Sequence, residues 1–123
     1  MEITINDHRK ILAIQEEFSQ IFPYLKLEFF SKPNRPDGAP SKKLVTNNNK
    51  TIGECRTIHT KGVITINPQM KVIDLDQNFR DVYGLSVQVL RKSGKAWLEA
   101  TITDGWTLEE QNIQGEDLSE IVT

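Results

Sequence analysis

The tetrapeptide Ile3-Thr4-Ile5-Asn6 recurs 61 residues later as Ile64-Thr65-Ile66-Asn67. A repeat at a fixed spacing limits a fold more than composition does, because each copy must carry the same local structure. At the same offset Ile11, Ile14, Phe18, Ile21 and Phe22 fall on Val72, Leu75, Phe79, Val82 and Tyr83, and Lys10 falls on Lys71. The chain breaker Pro23 meets Gly84. With one residue dropped, Leu25, Leu27, Phe29, Phe30 and Lys32 meet Leu85, Val87, Val89, Leu90 and Lys92. Thr51-Ile52-Gly53-Glu54 resembles Thr107-Leu108-Glu109-Glu110. From Ile3 to Pro23 there are six identities in 21 positions. Any two strand–helix–strand units share some of this pattern, but a register held through both breakers favours a true duplication.

Each copy reads as β-α-β-β-α. Residues Met1 to Asn6 alternate apolar and polar, as a half-buried strand does. Ile11, Ile14, Phe18, Ile21 and Phe22 form one helical stripe, with Asn6 or Asp7 as cap and Pro23 as stop. Leu25, Leu27 and Phe29 then share one strand face, and Tyr24, Lys26, Glu28 and Phe30 the other. In the second copy Asn67-Pro68 predicts a cap with proline in the first turn. Leu75, Phe79 and Val82 are the expected buried stripe, and Gly84 the helix end. Ser93-Gly94 between Lys92 and Lys95 predicts a tight hairpin, with Ala96, Leu98, Ala100 and Ile102 facing inward on the returning strand. Thr107-x-x-Glu110 is a capping box for a short last helix. Thr51-x-x-Glu54 would open its counterpart over residues 51–59.

At 123 residues the chain fits one domain. We expect repeat 1 over residues 1–62, repeat 2 over 63–115 and an acidic tail over 116–123. The predicted class is α+β, a two-layer structure in which the duplicated units share one sheet of about six strands with helices on one face. The repeats differ most at residues 31–50, where Pro33, Pro36, Pro40, Gly38 and Asn47-Asn48-Asn49 replace the hairpin by an irregular loop. No apolar run approaches the ~20 residues of a membrane span, and Met1-Glu2-Ile3 does not begin a signal peptide, so a cytoplasmic protein is expected.

Charge is unevenly placed. The net value is -2, yet residues 31–62 sum to +5 and residues 99–123 to -7. Lys32, Arg35, Lys42, Lys43 and Lys50 form a basic stretch that phosphates or an acidic partner could contact. A solvated loop neutralised by the acidic end of the chain accounts for the same charges.

Little in the chain points to catalysis. The lone cysteine, Cys55, excludes an internal disulfide, and its four-residue spacing to His59 would place thiol and imidazole on one face of a helix. No third member lies nearby at ligand spacing, so no metal or cofactor is expected, and Cys55 reads as a small buried hydrophobe. The pairs Asp74/Asp76, Glu109/Glu110 and Glu116/Asp117 fall on polar helix sides or in the tail. No glycine-rich phosphate loop is present.

The outer sheet face is more informative. It should carry Tyr24, Phe30, Leu90 and Trp97 among Gln88 and other polar groups, and aromatics on an open sheet usually meet a partner. A nucleic-acid platform surrounds such aromatics with basic groups, whereas this face has one lysine against two glutamates. We therefore expect a non-catalytic interaction or regulatory module. Its predicted contact residues are Trp97, Phe30, Leu90, Tyr24 and Gln88, and its partner is a protein or a second copy in a homodimer. Nucleic-acid binding through residues 32–50 is the alternative, and a small enzyme ranks last.

Overall fold

The computed structural model describes residues 1–31, 43–47, 49–101 and 103–120. The alternation at the start forms strand β1 (Glu2–Ile5), with Ile3 and Ile5 fully buried and Glu2 and Thr4 exposed. Helix α1 (Ile11–Ile21) buries Ile11, Ile14 and Phe18 on one stripe, and Pro23 lies just past its end. Strands β2 (Leu25–Ser31) and β3 (Lys43–Leu44) follow, then one 3-10 turn at Ile52–Cys55. The second half repeats the order with β4 (Gly62–Thr65), α2 (Val72–Tyr83), β5 (Ser86–Ser93), β6 (Ala96–Glu99) and α3 (Leu108–Glu120).

The protein is α+β, with three α-helices among the described residues and two antiparallel sheets. It does not form the expected single six-stranded sheet. β1 pairs only with β4, placing Ile3 opposite Ile64, while the other sheet runs β3-β2-β5-β6. The reason lies in the edges of β2. One is taken by β5, with Leu27 opposite Val89, and the other by β3, with Phe30 opposite Leu44. Where β3 falls short, Gln15 Nε2 and Ser19 Oγ of α1 donate to the carbonyls of Leu27 (2.8 Å) and Leu25 (3.1 Å). No edge of β2 is left for β1, so β1 and β4 satisfy their backbone groups on each other.

Several local expectations are corrected. The first-half helix over 51–59 is only the four-residue turn. Asn6 and Asn67 are not helix caps. Their Oδ1 atoms accept from the amides of His8 (3.0 Å) and Gln69 (2.7 Å) in turns that precede the helices, which start at Ile11 and Val72. The first helical amides are instead satisfied by backbone carbonyls, Ile11 by Lys50 (3.0 Å) and Val72 by Trp106 (3.1 Å). Val82 is 45% exposed, because the stripe of α2 follows Val72, Leu75, Phe79 and Tyr83. Gly84 does end that helix, at φ +63°, in the left-handed region that disfavours a side chain. The hairpin turn is Gly94-Lys95, one residue later than read, with Ser93 opposite Ala96. Ala96 and Leu98 are exposed rather than inward-packed, while Ala100 is buried and Ile102 lies outside the described residues. Residues 116–120 belong to α3 rather than to a tail.

The core joins both sheets and both long helices. Ile3, Ile5, Ile64 and Ile66 meet Phe18, Leu25, Leu27, Val89 and Phe79 in one buried cluster. Phe29 of β2 and Phe79 of α2 touch edge to face, with centroids 6.0 Å apart at 87°. Similar joints occur in both halves of the chain. Lys10 bridges Thr51 as Lys71 bridges Thr107, Ile52 N donates to Arg9 O as Leu108 N does to Met70 O, and Val45 N donates to Phe29 O as Ala100 N does to Val89 O.

Candidate interaction surface

Strand alternation sends Lys26, Glu28 and Phe30 of β2 to the sheet face opposite Leu25, Leu27 and Phe29. Cross-strand pairing adds Leu90 opposite Lys26, Gln88 opposite Glu28 and Ser86 opposite Phe30. β6 contributes Trp97 opposite Lys92 and Glu99 opposite Leu90. Directly opposed residues share a face, so these side chains form one surface. Phe30, Gln88 and Trp97 are half-buried, and Leu44 is 39% exposed at the β3 edge.

Leu90 differs from the expectation, being only 7% exposed. Lys26 starts beside it on β2 and places its Nζ 5.0 Å from the Trp97 ring centroid, above a strand on the far side of Leu90. The lysine stem therefore passes over Leu90, and the ammonium is held by the indole face. Nζ also lies 3.6 Å from Glu28 Oε1. Tyr24 does not join this surface. Its amide donates to Asn112 Oδ1 (2.9 Å), and its Cβ is so near α3 that a Cβ at Gly115 would lie 2.8 Å away.

Of the basic stretch, Lys32, Arg35 and Lys42 lie outside the described residues, as does the side chain of Lys43 in β3. Lys50 is exposed.

Cys55 and His59 take different roles. Cys55 is buried and its thiol is pushed up by that burial, with Lys50 lowering it and Glu54 raising it. A thiol held protonated is a poor nucleophile. His59 Nδ1 lies 2.7 Å from Asp7 Oδ2. Asp7 Oδ1 accepts from Nε (3.1 Å) and an Nη (2.9 Å) of Arg56, whose other Nη donates to Tyr83 O (2.9 Å). Burial raises the Asp7 pKa, while the hydrogen bond and charge of Arg56, and then His59, outweigh it and leave the carboxyl below its ordinary value. This cluster ties β1 to the end of α2 across 49 residues of sequence. No local pattern could have revealed it. Among the described residues no group of three or more His, Cys, Asp or Glu side chains could hold a metal ion. No helix there is long and apolar enough to cross a membrane.

A groove of about 410 Å³ runs between α1 and the open part of the β2 edge. Gln15, Ser19, Leu27, Glu28 and Val45 line it, and its floor is the pair of carbonyls already held by Gln15 and Ser19. Comparison of the chain with protein-family models, with curated proteins and with solved structures finds no match.

Proposed function

We propose that the chain is a non-catalytic protein-interaction module whose working surface is the outer face of the four-stranded sheet. One observation carries the reading. Trp97 and Phe30 remain only half-buried on a face that also bears Lys26, Glu28, Lys92 and Glu99, so charges of both signs surround the aromatics. A mixed rim around an aromatic centre suits a protein partner, including a second copy of the chain, better than a polyanion.

We also propose that the chain is a tandem duplication of one β-α-β-β-α unit. The support is the recurrence of Lys10–Thr51 as Lys71–Thr107, with the flanking backbone hydrogen bonds, and the pairing of Ile3 with its sequence counterpart Ile64. In this reading the uncovered face lies across the junction of two copies.

The test is the mass of the full chain against concentration at neutral pH, repeated for Phe30→Ala and Trp97→Ala. Mass should rise with concentration, and Trp97→Ala should weaken association by ~2 kcal/mol or more with little loss of fold stability. Association untouched by either substitution would overturn the face assignment. Binding of a single-stranded oligonucleotide that fades with added salt would favour the basic stretch instead.

A further inference from the structure

We propose that the free edge of β6 pairs with β6 of a second copy, antiparallel and centred on Trp97, so that two four-stranded sheets join into one of eight strands. The inference deepens the interaction reading by naming the occupant, and it rests on that reading only in placing Trp97 at the contact.

The first support is where the backbone groups point. Ala100 N donates to Val89 O (3.0 Å), and Leu98 and Ala96 stand opposite Arg91 and Ser93 of β5. In an antiparallel ladder the N–H and C=O of one residue point the same way, and alternate residues point oppositely. Ala96, Leu98 and Ala100 therefore face β5, which leaves the backbone groups of Trp97 and Glu99 directed away from the sheet. β6 is the last strand in the order β3-β2-β5-β6. Its outward row is a ready template for another strand.

The second support is the side-chain sequence along that edge, Lys95-Ala96-Trp97-Leu98-Glu99. Antiparallel pairing about Trp97 sets each Lys95 against the second copy's Glu99 and each Ala96 against the second copy's Leu98. The two Trp97 residues become a hydrogen-bonded pair, which is the pair type that their outward backbone groups require. Both signs of charge are thus matched in register, and a small side chain stands beside each large one. Lys95 and Glu99 are exposed, and neither joins an ion pair among the described residues. Leu98 is 48% exposed on the sheet face that carries Arg91, an apolar group that the partner strand would cover.

Sedimentation equilibrium of the full chain should show the mass rising from 14.1 kDa toward twice that value as concentration increases. Glu99→Pro removes one outward amide while leaving the Leu98 and Ala100 donors to β5, so it should abolish the dimer and leave the circular dichroism and Tm of the monomer in place. Lys95→Glu and Glu99→Lys should each weaken association ~fivefold or more, and the double variant Lys95→Glu/Glu99→Lys should restore it. A monomer at every concentration overturns the proposal, as does failure of the double variant to restore association. A dimer that survives Glu99→Pro but is lost on Phe30→Ala overturns edge pairing and leaves the face reading intact. A dimer lost on Glu99→Pro and indifferent to Phe30→Ala keeps edge pairing and removes the face.

Discussion

The segments beginning at Thr51 and Thr107 are seated alike and end differently. Each Thr bridges a lysine just before a long helix, and each following amide donates to the carbonyl one residue before that lysine. At Thr107 the capping box closes, with Glu110 N donating to Thr107 Oγ1 (3.1 Å) and Thr107 N donating to Glu110 Oε1 (3.3 Å). A helix of 13 residues follows. At Thr51 no side-chain cap forms, and the turn stops after four residues at Cys55. The next residue, Arg56, is extended (φ -143°, ψ 162°), and its guanidinium is spent on Asp7 and on Tyr83 O. Backbone pairing with the preceding strand–helix junction sets the seat. What the following residue binds decides whether a helix grows from it.

The strongest test of the likeness between halves lies in the core. Phe18 and Phe79 occupy corresponding helix positions and are both 0% exposed. Truncating either to Ala should cost ~3–5 kcal/mol, read from urea midpoints. Costs that differ by more than ~2 kcal/mol would show that the two sites have diverged in how well they collapse.

The next test addresses the contrast itself. Arg56 and Asn112 each anchor the far end of the opposite half's long helix, Arg56 through Tyr83 O and Asn112 through Tyr24 N. Arg56→Met should cost ~2–4 kcal/mol, because it leaves Asp7 and a buried carbonyl unpaired, whereas Asn112→Ala should cost about 1. The Asp7 carboxyl also gives this anchor a pH dependence. Its folded pKa lies below the ordinary carboxylate value, so its contribution is complete above about pH 4 and is lost as pH falls through the folded value. Asp7→Asn should flatten the acid limb of a stability–pH curve. An unchanged limb would mean that the ion pair carries no linkage.

The smallest effect concerns the caps. Thr107→Ala should lower stability by ~1 kcal/mol, and Thr51→Ala by less than ~0.5, since only the former loses a side-chain bond to a helical amide. Equal costs would mean that Thr51 has a role its hydrogen bonds do not display.

What the sequence revealed follows the range of each interaction. The stripes of α1 and α2, the stops at Pro23 and Gly84 and the alternation of β2 and β5 are local patterns, and they read correctly. Strand pairing is not local. Alternation says which face of β1 is buried but not which strand lies beside it, so the split into two sheets was invisible. On the outer face the positions of Phe30, Gln88 and Trp97 followed from alternation. The cover over Leu90 did not, because it depends on a lysine from another strand reaching an indole beyond it. The Asp7–Arg56 pair escaped for the same reason, having 49 residues between its members.

Ile3 finds its partner in Ile64, and Leu27 finds its partner in Val89. Both central strand pairs thus join the first half of the chain to the second, which matters for how the protein is made. On the ribosome, β1 and β2 emerge before either partner exists, with Ile3, Ile5, Leu25 and Leu27 ready to be buried and nothing to bury them against. Helix α1 can form early, since its contacts are local, but it can shield only part of that surface. Every nascent copy therefore passes through an interval in which two strands lack their central partners, and that interval closes only when β4 and then β5 follow.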